Sequence, residues 1–492
     1  MAKIPPAFKK DYSGGQINSI NENLRPQNAV KLGLNVDFDV EIGSAVSRLG
    51  TGIVGAQLVD AQTVLGLINF RDSVGSNHKL LAAINASGGA TSVVYDVEGA
   101  ATIDTGLTAN KKMRFLTYLD SVLMVNGTDA PRSYNGATVI TTGGAFDLAN
   151  FPGTGEPSLI IEWKDRVYAA GDTSFPDRVY YSGVQTAGAI SWTSGNGNVN
   201  VEPEDGGGGL TAFGKVPGYV LFFKERSLKR WNFDSAFPED LVQIGTPSQE
   251  SVIMAGGLCA FFSASHQDSK GFYVTNGDRP VPISHDRAKN IKKWVDAIPQ
   301  ASYSSVAGWA TERIFAWSVG DLTVDNETFT NVVLRYNRYL DQWSVRSYPS
   351  QFSVFSTYIT SGESVIVGGD DDGQIIQIDK ADTFTDYPST PIGWEVRDHE
   401  DDFEYNQLKE ISDKIITNTK GAMGAKVRII PNGDIRKAVQ LTDVSGRISE
   451  HKIDKPVRAG LFEISVYGNQ QGGRATLKEV EVPSINALEN YS

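Results

Sequence analysis

The chain has 492 residues, 40% of them hydrophobic and 21% charged, and it carries a formal net charge of -13. This length exceeds what one hydrophobic core supports, so two or three domains, or one large repetitive domain with an appendage, are expected. The negative charge argues against a surface that binds duplex DNA, which needs clustered Lys and Arg, and the single cysteine, Cys259, excludes an internal disulfide.

Residues 1–60 are the least regular part of the chain. Pro5, Pro6 and Pro26 interrupt this stretch, and proline breaks both helices and central strands. We therefore predict an extended N-terminal arm that leads into the first repeat unit. Residues 1–6 contain no apolar run after their positive charge, and no run of about 18 apolar residues follows, so neither a secretory signal nor a membrane-spanning segment is predicted.

Short apolar strand pairs recur at nearly regular intervals over residues 61–390. Their spacing averages roughly 48 residues, which is what a four-stranded propeller blade with its loops requires. We predict an all-β fold, a β-propeller of about seven blades within a range of six to eight. The predicted blades open near Leu65, Met113, Leu159, Leu210, Val252, Val306 and Val354.

Within several units an inner strand is followed by a turn and by an outer strand that carries Tyr or Trp. Residues 165–171 (DRVYAAG) and 178–183 (RVYYSG) form such a pair. In the last unit, residues 370–373 (DDDG) carry the Asp-Gly signature of a hairpin turn. Helical periodicity is scarce, and residues 287–297 are the best candidate for a short helix at the rim of the fifth blade.

The repeat ends near Pro391, and a different module follows over residues 391–492. Its segments alternate apolar and polar residues between turns, which indicates strands, and a set of this length predicts a C-terminal β-sandwich. The segments are GWEVRD, SDKIITNT, AKVRIIP, AVQLTD, LFEISVYG and TLKEVEVP.

Several short elements of the chain match those of a known family. A glycine-rich opening precedes an element with spaced Asn, Asp and Arg, and a pair of Arg-Val-Tyr strands lies in mid-propeller. The elements are residues 11–18 (DYSGGQIN), 35–39 (NVDFD), 45–50 (AVSRLG), 163–168 (WKDRVY), 176–182 (PDRVYYS) and Trp192. Together they resemble the β-propeller tail proteins of short-tailed bacteriophages, called tail nozzle or tail tubular proteins.

The resemblance implies a structural protein of the virion tail, with no enzymatic activity and no cofactor. It implies a homo-oligomeric ring, usually a hexamer, below the portal and adaptor rings, assembled in the cytoplasm of the bacterial host. Such a ring forms part of the conduit for DNA ejection and serves as an attachment platform for tail fibre proteins. Phage DNA would pass through it transiently and without sequence-specific binding, since an acidic conduit repels the polymer.

Two other functions stay open at this stage. A propeller of this kind also suits a tail tip, a baseplate or the decoration of a head, where copies are peripheral. A carbohydrate-active propeller enzyme would use paired carboxylates in the central funnel. No unit of this sequence, however, shows the Ser-x-Asp-x-Gly-x-x-Trp turn of sialidase-type blades.

The sequence predicts no catalytic, cofactor-binding or metal-binding residues. The histidines are too scattered for a zinc motif, and Ser284, His285 and Asp286 are adjacent in sequence, so their side chains point apart. Asp370 and Asp372 would suit calcium, against the simpler interpretation of a plain hairpin turn. The five histidines are His78, His266, His285, His399 and His451.

Three further segments have both a binding and a structural interpretation. An acidic cluster between the modules would chelate calcium or form a solvated loop, and the loop is favoured because no glycine marks the turn. Residues 206–209 are four glycines without the Lys of a phosphate-binding loop, so they indicate a flexible loop. A basic segment would contact nucleic acid or, as we favour, form an exposed strand or a subunit contact. The acidic cluster is Asp398, Glu400, Asp401, Asp402 and Glu404, and the basic segment is Lys224, Arg226, Lys229, Arg230 and Trp231.

Overall fold

The fold is seen in a computed structural model of the chain. No helix of the residues that it describes is long and apolar enough to cross a membrane. The structure describes all residues except 1, 5–6, 18–25, 76, 142–145, 148–149, 154, 185–189, 203–207, 286–290, 361, 400–408, 412–413, 421–424, 433–434, 442–447, 454, 460–461, 471–472, 484 and 488–492.

Seven four-stranded antiparallel arrays are arranged around one axis. We name their strands A to D from the axis outward, and in each array these strands are hydrogen bonded in the order A-B-C-D. Each strand A contacts the strands A of both neighbours, so the arrays close into a ring. This is a seven-bladed β-propeller, as predicted, and each strand A begins within two residues of a predicted blade opening.

The strands A to D of the first six blades have the following bounds. Blade 1 comprises Val64–Arg71, His78–Asn85, Thr91–Asp96 and Ala101–Thr108, and blade 2 comprises Arg114–Tyr118, Ser121–Val125, Arg132–Tyr134 and Val139–Ile140. Blade 3 comprises Leu159–Trp163, Arg166–Ala170, Arg178–Tyr181 and Gly197–Asn200, and blade 4 comprises Leu210–Val216, Tyr219–Lys224, Leu228–Trp231 and Glu239–Val242. Blade 5 comprises Ile253–Ala255, Leu258–Ser263, Gly271–Thr275 and Val281–Pro282, and blade 6 comprises Ala307–Ala310, Ile314–Val324, Glu327–Asn337 and Gln342–Ser347.

Blade 7 takes its outermost strand from the N-terminal arm. Its strands A to C are Phe352–Thr360, Glu363–Asp370 and Ile375–Lys380, and its strand D is Gly50–Ile53. Ile53 lies opposite Ile376 in this antiparallel pair. The chain then continues into strand A of blade 1, which begins at Val64, so the arm joins the first blade covalently and the last blade by backbone hydrogen bonds.

Neighbouring blades pack through apolar side chains that alternate along the strands. Between blades 3 and 4, the ring centroids of Tyr168 and Trp231 are 6.3 Å apart and those of Tyr181 and Trp231 are 5.6 Å apart. Trp192 is buried beside Phe146, whose carbonyl accepts the indole N–H at 2.6 Å. Each inter-blade layer is thus a separate small hydrophobic core.

The helix predicted over residues 287–297 is shorter in the structure. A single turn of α-helix, Lys292–Asp296, buries Trp294 and Val295 against the layer between blades 5 and 6, and residues 286–290 lie outside the described part. The short 3-10 helices are Gln249–Ser251, Gln267–Ser269, Gln300–Ser305 and Ile435–Lys437.

The C-terminal module is a β-sandwich, as predicted, and the N-terminal arm is part of it. One sheet orders its strands as Leu32–Leu34, Gly393–His399, Phe462–Asn469, Lys426–Pro431 and Val439–Gln440. The facing sheet orders Ile448–Lys452, Lys414–Lys420, Thr476–Val482, Ala45–Ser47 and Val36–Asp37, with Ala7–Lys9 paired to Thr476–Val482. A third sheet orders Ala2–Ile4, Ile485–Ala487, Lys409–Ile411 and Val457–Ala459, and two small pairs are Gly15–Gln16 with Ala29–Val30 and Thr385–Asp386 with Thr390–Pro391.

Propeller and sandwich share one continuous sheet. Val345 in strand D of blade 6 lies opposite Leu34 of the arm in a parallel pair, and Leu34 lies opposite Glu395 of the sandwich in an antiparallel pair. The four strands of blade 6 and the five strands of the sandwich sheet therefore form a nine-stranded sheet. Backbone hydrogen bonds cross the boundary between the modules, so the arm acts as the connecting strand.

Candidate functional site: the propeller–sandwich junction

The junction is organised around Asn35 of the arm, at the point where the chain reverses. Its φ of +53° is left-handed, a conformation that Asn tolerates better than most residues. Its side-chain oxygen accepts hydrogen bonds from Arg48 Nε at 3.0 Å and from the backbone N–H of Ser347 at 2.9 Å. Its amide donates to the carbonyl of Gly393 at 2.7 Å, so one side chain ties the arm to blade 6 and to the sandwich.

Asp37 is the carboxylate at the centre of this junction. Arg346 of blade 6 approaches it at 2.7 Å, Arg474 of the sandwich at 2.9 Å and Arg335 of blade 6 at 3.7 Å. Burial alone would raise the pKa of Asp37, but the three guanidinium groups outweigh it and hold the pKa well below its usual range. Arg346 also forms two 2.9 Å hydrogen bonds to Asp379, which links blade 7 to the same cluster.

Arg48 forms a second buried anchor, and it is fully enclosed. Its guanidinium forms an ion pair with the carboxylate of Asp386. It also donates to the carbonyls of Ser347 and Leu49 at 2.9 Å, and its central carbon lies 4.3 Å from the ring centroid of Tyr348. A guanidinium suits this position because its planar fork satisfies several acceptors at once. Arg48 therefore holds the arm against blade 6 and against the segment that follows blade 7.

Glu395 centres a third ion cluster on the sandwich side. It receives hydrogen bonds from Arg397 at 2.8 Å, from Arg428 at 2.7 Å and from Ser465 at 2.6 Å. Arg397 in turn binds Glu327, at the tip of blade 6, at 2.5 and 3.0 Å. Burial would raise the pKa of Glu395, but the two guanidinium groups and the hydroxyl keep it below its ordinary value.

Asp39 and Lys31 extend these contacts along the arm. Asp39 accepts hydrogen bonds from Arg335 at 2.9 Å and from the amide of Asn337 at 2.7 Å. Lys31 forms a buried ion pair with Glu463 of the sandwich. In all three clusters the carboxylates face cations, an arrangement that fixes the position of the sandwich relative to blade 6.

Side chains also cross the axis of the propeller. Arg114, at the start of blade 2, lies 3.0 Å from Glu250, which precedes blade 5 on the opposite side of the ring. Lys112 donates to the carbonyl of Ser353 in blade 7 at 2.9 Å. Burial would raise the pKa of Glu250, but Arg114 and Lys112 hold it below its ordinary value, whereas burial lowers the pKa of Lys112. An ion pair between opposite blades leaves no room for a polymer on this axis.

The expectation that the side chains of Ser284 and His285 point apart is wrong, because the structure brings these two side chains within hydrogen-bond distance. Ser284 is fully buried, and its hydroxyl accepts the backbone N–H of Phe272 at 2.9 Å. Its oxygen lies 3.2 Å from Nδ1 of His285, while Asp286 is outside the described residues. The Ser284 hydroxyl is thus occupied by the blade rather than presented to solvent.

The remaining histidines occupy separate places. His78 stacks on Tyr358 with centroids 5.5 Å apart, and His451 is buried with Nε2 at 3.0 Å from the hydroxyl of Thr417. His266 begins the turn before Gln267–Ser269, and the side chain of His399 lies outside the described residues. Across the described residues, no three His, Cys, Asp or Glu side chains come together as a metal site.

Asp370 and Asp372 occupy the hairpin turn predicted between two strands of blade 7. The carboxylate of Asp370 is buried and accepts hydrogen bonds from the N–H groups of Asp372 and Gln374 and from the hydroxyl of Ser350. Burial raises the pKa of Asp370. Asp372 caps the N–H of Ala61 at 3.1 Å, so both carboxylates serve the turn and its contact with the chain entering blade 1.

The basic segment is buried at three of its five residues, whereas Arg226 is exposed and Arg230 is half-buried. Lys224 and Lys229 are buried, where Lys224 pairs with Asp177 at 2.8 Å and Lys229 pairs with Asp240. Trp231 is part of the core between blades 3 and 4, so the preferred interpretation as an exposed strand is wrong for these residues. Their charges are neutralised by carboxylates of the same chain, so these two lysines present little positive charge to nucleic acid.

The acidic cluster and the glycine run lie mostly outside the described residues. Asp398 is described and pairs with Lys9 of the arm at 2.7 Å, whereas the rest of the cluster, residues 400–404, is not described. Of residues 206–209, only the last two are described. Cys259 is buried in blade 5, and burial raises the pKa of its thiol far above the ordinary value.

The sequence analysis predicted no junction residues, although four of them lie in elements that carry the family resemblance. Asn35, Asp37, Asp39 and Arg48 are the Asn, Asp and Arg positions of two of the resembling elements. Their partners carried no local signal, because they lie hundreds of residues away in the chain. The partners that sequence reasoning missed are Arg335, Arg346, Asp379, Asp386 and Arg474.

Comparison with known proteins gives little beyond this geometry. No family model matches the chain, and no curated protein matches it. Among solved structures, the chain is similar to the N-terminal domain of Nup159, with a TM-score of 0.37 and 10% identity. That similarity covers 72% of this chain and 100% of the other. The fold assignment rests on the sheet topology described above.

Proposed function

We propose that this protein is a non-enzymatic structural subunit of a short phage tail, in a nozzle or tubular ring. One observation carries the proposal. The sequence elements that resemble tail nozzle proteins contribute Asn35, Asp37, Asp39 and Arg48 to the junction that unites propeller and sandwich. A motif with this role serves rigidity, which a structural ring requires.

The ion pair across the propeller axis bears on the path that DNA would take. Because Arg114 and Glu250 meet across that axis, the conduit would be the lumen enclosed by several copies and not the channel of one propeller. Each copy carries a formal net charge of -13, so a lumen lined by such subunits would repel DNA and let it slide. The ring would adjoin the portal and adaptor rings and carry the tail fibre proteins.

Native mass determination with negative-stain imaging of the purified protein tests the ring. We expect a ring of about six copies around a central hole. Gold labelling of intact virions then tests the location, with label expected at the tail axis. Label at peripheral sites would favour the tail-tip, baseplate or head-decoration role, and absence of the protein from virions would contradict the proposal. Cleavage of polysaccharide by the purified protein would favour the enzyme instead.

A further inference from the structure

Lys31 of the arm and Glu463 of the sandwich form an unusually enclosed ion pair. Lys31 exposes 8% of its side chain and Glu463 exposes 1%. In each other pair of a lysine and a carboxylate between described residues, at least one partner exposes more than a tenth of its side chain. A lysine amine, unlike a guanidinium, can lose its proton and act as a nucleophile. This pair is therefore where the described chain brings an amine and a carboxyl group together away from water.

The pair lies across one strand of the sheet that joins the two modules. Lys31 precedes the arm strand Leu32–Leu34, and Glu463 belongs to the strand Phe462–Asn469. Both strands pair with Gly393–His399, one on each side, so the lysine side chain reaches across that strand. The buried apolar residues next to the pair in sequence are Val30, Leu32 and Phe462. The pair is thus embedded in the sheet.

The carboxylate of Glu463 is poorly satisfied for a buried charge. Its Oε1 contacts Nζ of Lys31, which is its only hydrogen-bond donor among the described residues. Its Oε2 is buried and accepts no hydrogen bond within the part of the chain that the structure describes. By contrast, both carboxylate oxygens of Glu395 accept hydrogen bonds from Arg428. A buried ion pair is favourable only when its remaining lone pairs are satisfied, so the Lys31–Glu463 pair would be stabilised by losing its charges.

A further carboxylate stands beside the amine. Asp325 lies in the turn that ends the long hairpin of blade 6, and its Oδ2 is 3.8 Å from Nζ of Lys31. Its Oδ1 lies 3.1 Å from Nζ of Lys293, and 34% of its side chain is exposed. Asp325 can therefore exchange protons with water. It is placed to take a proton from the amine, whereas Glu463 is the enclosed carboxyl group that the amine can attack.

We propose that Lys31 and Glu463 condense to an isopeptide bond between the arm and the sandwich. The nitrogen of Lys31 forms a bond to Cδ of Glu463, and the bond from Cδ to one carboxyl oxygen breaks. Of the three hydrogens of the ammonium group, one stays on the amide nitrogen and two leave with that oxygen as water. The two charges cancel, so the step needs no oxidant, metal or co-reactant. This inference is independent of the proposed place of the protein in a phage tail.

The surroundings favour this condensation over a lasting ion pair. An amine that is held in contact with a carboxyl group reacts as if it were present at very high concentration. Burial disfavours charged forms in general, so the proton transfer that starts the reaction is easier here than in water. The product buries one neutral amide in place of two charges, of which one is poorly satisfied.

The bond would fasten the arm to the sandwich covalently. It would close a loop from residue 31 to residue 463, and that loop contains the whole propeller. Such a loop persists when the chain is denatured, because denaturant does not break an amide. The denatured wild-type chain should therefore stay looped and migrate differently on a denaturing gel from a variant that lacks the bond.

Intact-mass spectrometry of the denatured full-length protein tests the bond. We expect the wild type to be lighter than its sequence by the mass of one water molecule. Lys31→Arg is the matched control, because arginine keeps the positive charge beside Glu463 and forms no isopeptide bond, so this variant should have its full sequence mass. Tryptic mapping should give, from wild type alone, a peptide that joins the segments around residues 31 and 463. A wild-type mass equal to that of the sequence, or a loss of water that persists in Lys31→Arg, would overturn the proposal.

Asp325→Asn tests the proton acceptor. The variant keeps the amine and the carboxyl group in contact but removes the base, so the loss of water should be about a hundredfold slower than in wild type. The rate is followed by intact mass at intervals after a pulse of expression, and thermal unfolding checks that the variant is folded. A rate equal to that of wild type would overturn the role of Asp325.

Discussion

The layers between blades and the junction between the modules are stabilised by different kinds of interaction. Between blades 3 and 4 the contact is made by Tyr168, Trp231 and Phe222, which are buried without charge. At the junction the central contacts are Asp37 with Arg346 and Arg48 with Asp386, which are buried ion pairs. Apolar burial stabilises without specifying direction, whereas guanidinium–carboxylate pairs fix one orientation and are costly to break.

This difference suits a protein whose modules must keep a fixed relative position. The layers between blades are repeated around the propeller. Different apolar residues can fill each layer, because apolar packing closes the ring of blades without one required set of side chains. The junction occurs once, and the nine-stranded sheet and the ion clusters set its geometry. Damage to a layer should weaken the propeller, while damage to the junction should uncouple the modules.

The largest effect is expected from Asp37→Ala. It leaves Arg346, Arg335 and Arg474 without their shared carboxylate, and breaking a buried pair costs about 3–5 kcal/mol of unfolding free energy, here toward the upper end. Urea denaturation of wild type and variant measures the loss. Glu41→Ala is the control, because Glu41 pairs with Lys478 at the surface, and its unfolding midpoint should not move. Equal stability of Asp37→Ala and wild type would show that the cluster does not hold the junction.

A slightly smaller effect is expected from Trp231→Ala in the layer between blades 3 and 4. Removing a buried Trp leaves a cavity and costs about 3–5 kcal/mol. Unlike Asp37→Ala, this variant should keep the modules coupled, because no junction contact is lost. Because coupled modules unfold together, hydrogen exchange that proceeds by global unfolding should become faster in the blades and at Asn35 and its partners alike, whereas faster exchange confined to the propeller would show that the modules unfold separately.

A moderate effect is expected from Glu250→Gln at the propeller axis. The change removes the anion that Arg114 and Lys112 face, and a hydrogen bond between charged groups contributes about 1.5–3 kcal/mol. The variant should unfold at lower urea without separation of the modules. Glu312→Gln, an exposed residue of blade 6, is the control. An unchanged midpoint for Glu250→Gln would mean that the cross-axis pair contributes nothing.

Acid should weaken the junction before it affects the layers. The folded-state pKa values of Asp37 and Glu395 lie below their unfolded values of about 4, so their stabilisation is complete above pH about 4 and is lost as the pH falls further. Urea midpoints measured from pH 7 to pH 3 should fall at the acid end, and the fall should be shallower in Asp37→Ala. Parallel pH profiles for the two proteins would contradict this linkage.

The propeller could be predicted from the sequence because its signals are local. Strand A of blade 3 begins at Leu159 and that of blade 4 at Leu210, as predicted, since alternation and turn residues mark a strand within a few positions. The hairpin turn at residues 370–373 could be predicted for the same reason, because its Asp-Gly signature is local in sequence.

Contacts between distant segments could not be predicted in this way. Nothing near Gly50–Ile53 indicates that it pairs with residues more than 300 positions later, or that Asp37 meets Arg474. Lys224 and Lys229 suggested an exposed basic strand because their partners Asp177 and Asp240 are supplied by other strands and loops. Charge in a sequence predicts exposure only where no partner is brought to it by the fold.

Differential scanning calorimetry of the wild-type protein and Asp37→Ala tests most directly whether propeller and sandwich form one rigid unit. We expect the wild type to unfold in a single cooperative transition, because the nine-stranded sheet and the buried ion pairs couple the modules. Asp37→Ala should unfold in two transitions, one for each module. A wild-type protein that already unfolds in two independent transitions would contradict the rigid unit.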